Sequence, residues 1–142
     1  MGTGAAALTQ RWPESRAGRY ATFQIGGRYF AIESGRVRAI LAAKDIRAKP
    51  PGSAIRGTVT LSGSDVAVIH RPAELGISVA NGNTGEWVLV VESGTRTFGL
   101  EVDAIGDLID VRDRDIRDGT IQLRMNGRAY GRAKTLFDPD DL

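Results

Sequence analysis

His70, in "VAVIHRPAEL", is the one histidine of the 142-residue chain and the first side chain to weigh for chemistry. An imidazole titrates near neutrality and serves as a general base or a metal ligand. Nothing around it completes either role: there is no cysteine, and no Ser or Asp stands at a diagnostic spacing. A structural or solvated histidine at a strand end is therefore expected. Asp103, Asp107, Asp110, Asp113, Asp115 and Asp118 crowd one stretch, and carboxylates at that density would suit a hard cation. They lack the alternating ligands and closing Glu of a calcium loop, and five arginines fall within 96–124, so a self-paired, solvated charged segment is expected. "GTGAAA" and "GNTG" supply glycines without the lysine and helix of a phosphate-binding loop. No catalytic residue, metal or cofactor is expected.

One binding chemistry survives this filter. Arg28, Arg36, Arg38, Lys44, Arg47, Lys49 and Arg56 make the first half basic, and Tyr20, Phe23, Tyr29 and Phe30 are interleaved with them. A small β-barrel carrying both would hold a phosphate backbone and stack bases. Phe23 and Phe30 fall at core positions, which leaves nucleic-acid binding as the competing class rather than the leading one. Residues 1–72 hold eleven Lys/Arg against four Asp/Glu, and residues 73–142 hold eight against thirteen. That dipolar balance favours protein partners of complementary charge over a uniform polyanion.

The elements that must position such groups are short strands. A hydrophobic fraction of 42% with 25% charged residues is ordinary for a globular chain of one-domain size. Residues 1–18 lack periodicity and are expected to form a flexible arm; they show no signal-peptide core, and no apolar run approaches a membrane span. A cytoplasmic location without membrane insertion is expected. "YATFQIGGRYFAIE" predicts a hairpin turning at Gly26-Gly27, and "VRAILAA" continues it. "AIRGTVTLSGSDVAVIH" predicts a second hairpin bent at Ser62-Gly63-Ser64, and residues 73–85 form a joining loop. The pattern then restarts with "EWVLVVESGTRTFGLEV" and "AIGDLIDV", and "TIQLRMNGRAYGRAKTLF" predicts a last strand pair bent at Asn126-Gly127.

The restart is a repeat. "GGRYFAIESGRVRAIL" (26–41) and "GTRTFGLEVDAIGDLI" (94–109) share Gly26/Gly94, Arg28/Arg96, Phe30/Phe98 and Glu33/Glu101, and are apolar together at Ile32/Leu100, Val37/Ile105, Ile40/Leu108 and Leu41/Ile109. Each copy opens a small barrel too slight to stand alone, so two are expected to pack on a shared apolar seam, as approximate subdomains 19–72 and 86–137.

These residues resemble the CheW-like domain family. Phe23, Gly26, Phe30, Ile32, Val37 and Ile40 fit its first block; Pro51, Gly57, Leu61 and Gly63 fit the second; Gly99, Leu100, Val102, Asp103 and Ile116 fit the third. The resemblance covers about residues 20–125. It implies an all-β fold of two five-stranded SH3-like barrels in pseudo-twofold arrangement around a shared hydrophobic seam, with little helix. It also implies a non-catalytic scaffold in two-component signal transduction of the chemotaxis type, coupling a chemoreceptor's cytoplasmic tip to the regulatory domain of a CheA-type histidine kinase. By position, Val37, Ala39, Ile40, Ser62, Ile105 and Leu108 would line a receptor groove, and the hairpin bearing Thr58, Thr60, Asp65 and Val66 would face the kinase.

The chain departs from the family pattern where partners are chosen. Ser62 stands at a usual Arg, Ala39 at a common acid, Ala67 at a usual Pro, His70-Arg71 at Asp-Leu, and Asp65 at an apolar residue. Removing one member of a partly buried charge pair strands the other, so joint loss of the Arg and the acid is self-consistent. The departures bear on which receptor or regulator is recognised, because a charged pair at a docking surface contributes mostly orientation and specificity.

Overall fold

Gly26 and Gly27 sit at φ of +59° and +81°, so the chain reverses in two residues between β1 (Gly18–Ile25) and β2 (Arg28–Glu33). Only such positive-φ turns match the twist of the strands they join. Gly94, at φ +61°, opens the corresponding turn between β7 (Trp87–Ser93) and β8 (Arg96–Val102). A second shared identity has a physical cause in both copies: the Arg28 guanidinium lies 5.4 Å from the Phe30 ring centroid, and Arg96 lies 5.1 Å from that of Phe98. The computed structural model describes residues 17–50, 52–70 and 85–141.

The first copy continues through β3 (Val37–Ala42), β4 (Arg47–Ala48), β5 (Gly57–Leu61) and β6 (Ser64–Ile69). The second continues through β9 (Ala104–Val111), β10 (Ile116–Arg117), β11 (Thr120–Ile121), β12 (Arg124–Met125), β13 (Arg128–Ala129) and β14 (Lys134–Leu136). One sheet has the order β10-β11-β14-β2-β1-β9 and the other β4-β5-β6-β8-β7-β3. The two orders are the same list with the copies exchanged. Hairpin β1-β2 inserts between β9 and β14, and hairpin β7-β8 inserts between β3 and β6. The barrels therefore do not follow the sequence halves 19–72 and 86–137: each is built from a hairpin of one copy and the remaining strands of the other.

Each sheet curls into a barrel. β3 and β5 stand apart in the sheet order, yet Leu41 and Leu61 pack on one cluster with Val59, Val66, Val68, Val88 and Val90. The other barrel closes on Tyr20, Ala31, Val111, Ile121 and Leu123. Between the two lies the expected seam, where Phe23, Ile25, Phe30 and Ile32 meet Leu89, Val91, Phe98, Leu100 and Val102. Phe23 stacks on Phe30 at 5.5 Å and meets Phe137 edge-on at 5.6 Å. Such ring pairs add about 1 kcal/mol each beyond the burial itself.

Two sequence expectations are corrected here. Gly18 begins β1, so the expected arm 1–18 cannot extend that far; its first sixteen residues, like most of the loop 73–85, lie outside the described residues. Residues 120–136 are not one bent pair, because hairpin β12-β13 pairs only with itself and interrupts β11 and β14. The chain end is tied down: the Arg36 guanidinium donates both its terminal nitrogens to Asp140, at 3.0 and 3.1 Å, and one of them to the Glu92 carbonyl. That hydrogen-bonded carboxylate, outweighing partial burial, holds the Arg36 pKa above its ordinary value.

Candidate functional site

Pairing register decides which face each candidate presents, because directly opposed residues point to the same side of a sheet. In β3, Val37 opposes Val91 and Ile40 opposes Leu89, so both lie on the seam face. In β9, Ile105 opposes Phe23 and Leu108 opposes Ala21, again on the seam face. Val37 and Ile105 are half-buried against the seam cluster, whereas Ile40 and Leu108 are 46% and 58% exposed. These four repeat-related residues thus form two inner positions and two open rims. An exposed Ile or Leu leaves apolar area in contact with water, which covering by a partner would remove at about 25 cal/mol per Å².

Ala39 does not join them. A bulge at Arg38 shifts the register between Val37 and Ala39, so Ala39 opposes Val90 and packs against the core of the second barrel. Ser62 is exposed at the tip of the β5-β6 turn, and β7, β8 and β6 separate its strand from β3 in the sheet order. It holds φ +51° beside Gly63 at +82°, a conformation that costs an L-residue about 1 kcal/mol. Ser62→Asn, which tolerates this region better, is expected to raise the urea midpoint by the equivalent of about 0.5 kcal/mol.

On the second hairpin, Val66 is overturned as a partner-facing residue: it opposes Val59 and is 7% exposed within the core. Thr58, Thr60 and Asp65 do face outward, where they form a polar cluster with Arg47. Arg47 donates to Asp65 at 2.5 Å and to Thr58 Oγ1 at 3.4 Å, and Thr60 Oγ1 donates to the same carboxylate at 3.3 Å. The aspartate that interrupts an apolar face is thereby given a cation.

Trp87 was not singled out by the sequence. It is 41% exposed, opposes Ala42 on the seam face, and lies diagonal to Ile40, which extends that rim into an apolar row. A tryptophan at the start of a strand whose repeat mate is Arg19 was the available signal. Beside it, an open cleft of about 620 Å³ is lined by Ala42, Lys44, Arg56, Glu86 and Glu101, among others. Glu101 is buried, accepts the Gly85 N–H at 2.8 Å and lies 3.5 Å from Arg56. Its oxygens are committed to structure.

Four of the other groups weighed for chemistry have local partners. The His70 Nε2 donates to the Ser53 carbonyl at 2.9 Å. Asp103 accepts the Gly26 N–H at 2.6 Å, Asp110 pairs with Arg19 at 3.2 Å, and Asp115 accepts the Arg112 N–H at 2.9 Å. Among the described residues no group of three or more His, Cys, Asp or Glu side chains is arranged to hold a metal ion. Of the four aromatics weighed as platforms for bases, Tyr20, Phe23 and Phe30 are buried and Tyr29 carries Arg132 over its ring. No helix among the described residues is long and apolar enough to cross a membrane, which says nothing of β-barrels that cross with strands.

Comparison with known proteins agrees with this geometry. Residues 19–139 match the family model described as CheW-like domain. The chain is 29% identical over 102 residues to the chemotaxis protein CheW of Rhizobium meliloti, and 29% identical over 96 residues to a probable chemotaxis protein CheW of Rhizobium etli. Each alignment covers 67% of this chain and 62% of the relative, so the chain spans somewhat under two-thirds of the length of the curated relatives it matches. In fold it is similar to the crystal structure of scaffolding protein TtCheW from Thermoanaerobacter tengcongensis, with a TM-score of 0.66 at 16% identity over 87% of this chain and 85% of that one.

Proposed function

Because the chain belongs to the CheW-like domain family, we propose that it acts as a non-catalytic adaptor, coupling a chemoreceptor-type sensor to a CheA-type histidine kinase in the cytoplasm. The observation that carries this reading is the row of exposed apolar side chains on the seam faces, above all Ile40 and Leu108. An amphipathic helix from a receptor tip has the matching chemistry: its apolar face covers such a row, while the rigid barrels supply a surface already formed. The groove would be lined by Val37, Ile40, Ile105 and Leu108, and the Trp87 rim would extend it. The outer face of β5-β6, with Thr58, Thr60 and Asp65, would meet the kinase regulatory domain. A different regulator in the kinase's place is the second reading, and the Arg47–Asp65 pair favours it, because that face now asks for a polar partner.

Retention of the cognate kinase regulatory domain and of a soluble receptor cytoplasmic fragment on the immobilised chain tests the proposal. Both should be held at micromolar concentration. Ile40→Asp and Leu108→Asp should each weaken receptor retention about tenfold or more, with little change in thermal midpoint since both sites are exposed. Retention of neither partner would sink the adaptor reading. Undiminished receptor binding by both variants would remove the groove.

A further inference from the structure

Lys134 stands at a core position. It opposes Ile121, which is fully buried, in the register that Val66 and Val59 occupy in the sister barrel. The repeat offset of 68 residues gives the same alignment, Lys134 with Val66. Twelve residues, 122–133, join Ile121 to Lys134, where six, 60–65, join Val59 to Val66; the extra length is the β12-β13 hairpin. Thr22 likewise stands where the sister barrel has buried Val90. Two valines close the end of one barrel; a threonine and a lysine leave the other open.

The opening is a cavity of about 310 Å³, lined by Thr22, Gln24, Tyr29, Gly106, Arg132 and Lys134 together with Phe23. Gly106 keeps it clear: a Cβ there would lie 2.4 Å from Thr22 Oγ1, which donates to the Asp107 carbonyl at 2.7 Å. The Lys134 ammonium donates to the Arg132 carbonyl at 2.6 Å, and the Arg132 guanidinium lies 5.1 Å from the Tyr29 ring centroid. Among the described residues neither cation pairs with a carboxylate, and no Asp or Glu lines the cavity. Burial without a counter-charge lowers the Lys134 pKa. A stacked guanidinium fork and an unneutralised ammonium at the mouth of a small barrel are the elements of an anion site.

We propose that the mouth of this barrel binds a small oxyanion-bearing molecule, a carboxylate or a phosphate monoester, between Arg132 and Lys134. The site is separate from the seam rims and does not rest on the adaptor reading. Amide-resolved NMR titration of the full chain, with sodium phosphate in one arm and sodium succinate in the other at fixed ionic strength, tests it. At least one arm should saturate with a Kd of about 1 mM or tighter, with shifts centred on Thr22, Tyr29 and Gly106. Arg132→Ala and Lys134→Met should each weaken binding about tenfold, and Lys134→Arg should retain it. Lys134→Met should at the same time raise the thermal midpoint, since an apolar side chain suits this position better. Arg128→Ala, exposed on the neighbouring hairpin, should bind as the parent does. Absence of saturation in both arms would overturn the proposal, as would equal weakening by Arg128→Ala and Arg132→Ala.

Discussion

A chain divided within residues 71–84 will yield two fragments that are unfolded alone and regain the native fold when mixed. The first fragment would keep β1 to β6, yet β1-β2 finds its neighbours β9 and β14 only in the second. The second would keep β7 to β14, yet β7-β8 needs β3 and β6. Left alone, each hairpin is a two-stranded ribbon with its apolar face in water, which is marginal at best. Phe23, Ile25, Phe30 and Ile32 each lose burial worth about 2 kcal/mol, together comparable with the whole stability of a small domain. Dispersed amide spectra and strand circular dichroism should therefore be absent from either fragment and appear at a one-to-one ratio. A dispersed spectrum from one fragment at concentrations where it is monomeric would refute the exchange as the source of stability.

The exchange also shows where the sequence stops speaking. The hairpins, their Gly turns and the alternation of Val59 and Leu61 with Thr58 and Thr60 were legible, because a period of two and a glycine at positive φ are local properties. The choice of neighbour is not local. β1 presents the same alternating faces whether β9 or β3 lies beside it, so a repeat read along the chain suggests successive barrels while the pairing makes interleaved ones. Faces were readable only until a bulge intervened: the extra residue at Arg38 turns Ala39 toward the second barrel's core and Ile40 toward the seam, and "VRAIL" carries no mark of it. Val66 was legible in principle, since a strict alternation from Val68 places it inward. Lys134 too was within reach, because the offset of 68 that revealed the repeat aligns it with Val66. The repeat suggested the seam and the family resemblance suggested the groove positions, but the pairing of Asp65 with Arg47 depends on β4 lying beside β5, which no spacing in the sequence states.

Glu101→Ala should destabilise the protein by about 3 kcal/mol, while the same change at its repeat mate Glu33 should cost less than about 1 kcal/mol. The two glutamates are identical in the repeat and opposite in setting. Glu101 is 4% exposed, accepts the Gly85 N–H at 2.8 Å, and lies 3.5 Å from an Arg56 guanidinium that is itself mostly covered. Truncation leaves a partly buried cation and a buried backbone donor without their acceptor, and both penalties fall on the folded state alone. Glu33 is half-buried beside Arg36, whose guanidinium already has Asp140 as a bidentate partner, so no charge is stranded. Urea unfolding of both variants, with Arg56→Met added to Glu101→Ala, separates the causes. If the stranded cation dominates, Arg56→Met recovers a large part of the loss, and what remains belongs to the Gly85 donor. No recovery in the double variant would mean that the Arg56–Glu101 pair carries none of the cost, and equal losses at Glu33 and Glu101 would mean that their different settings do not decide it.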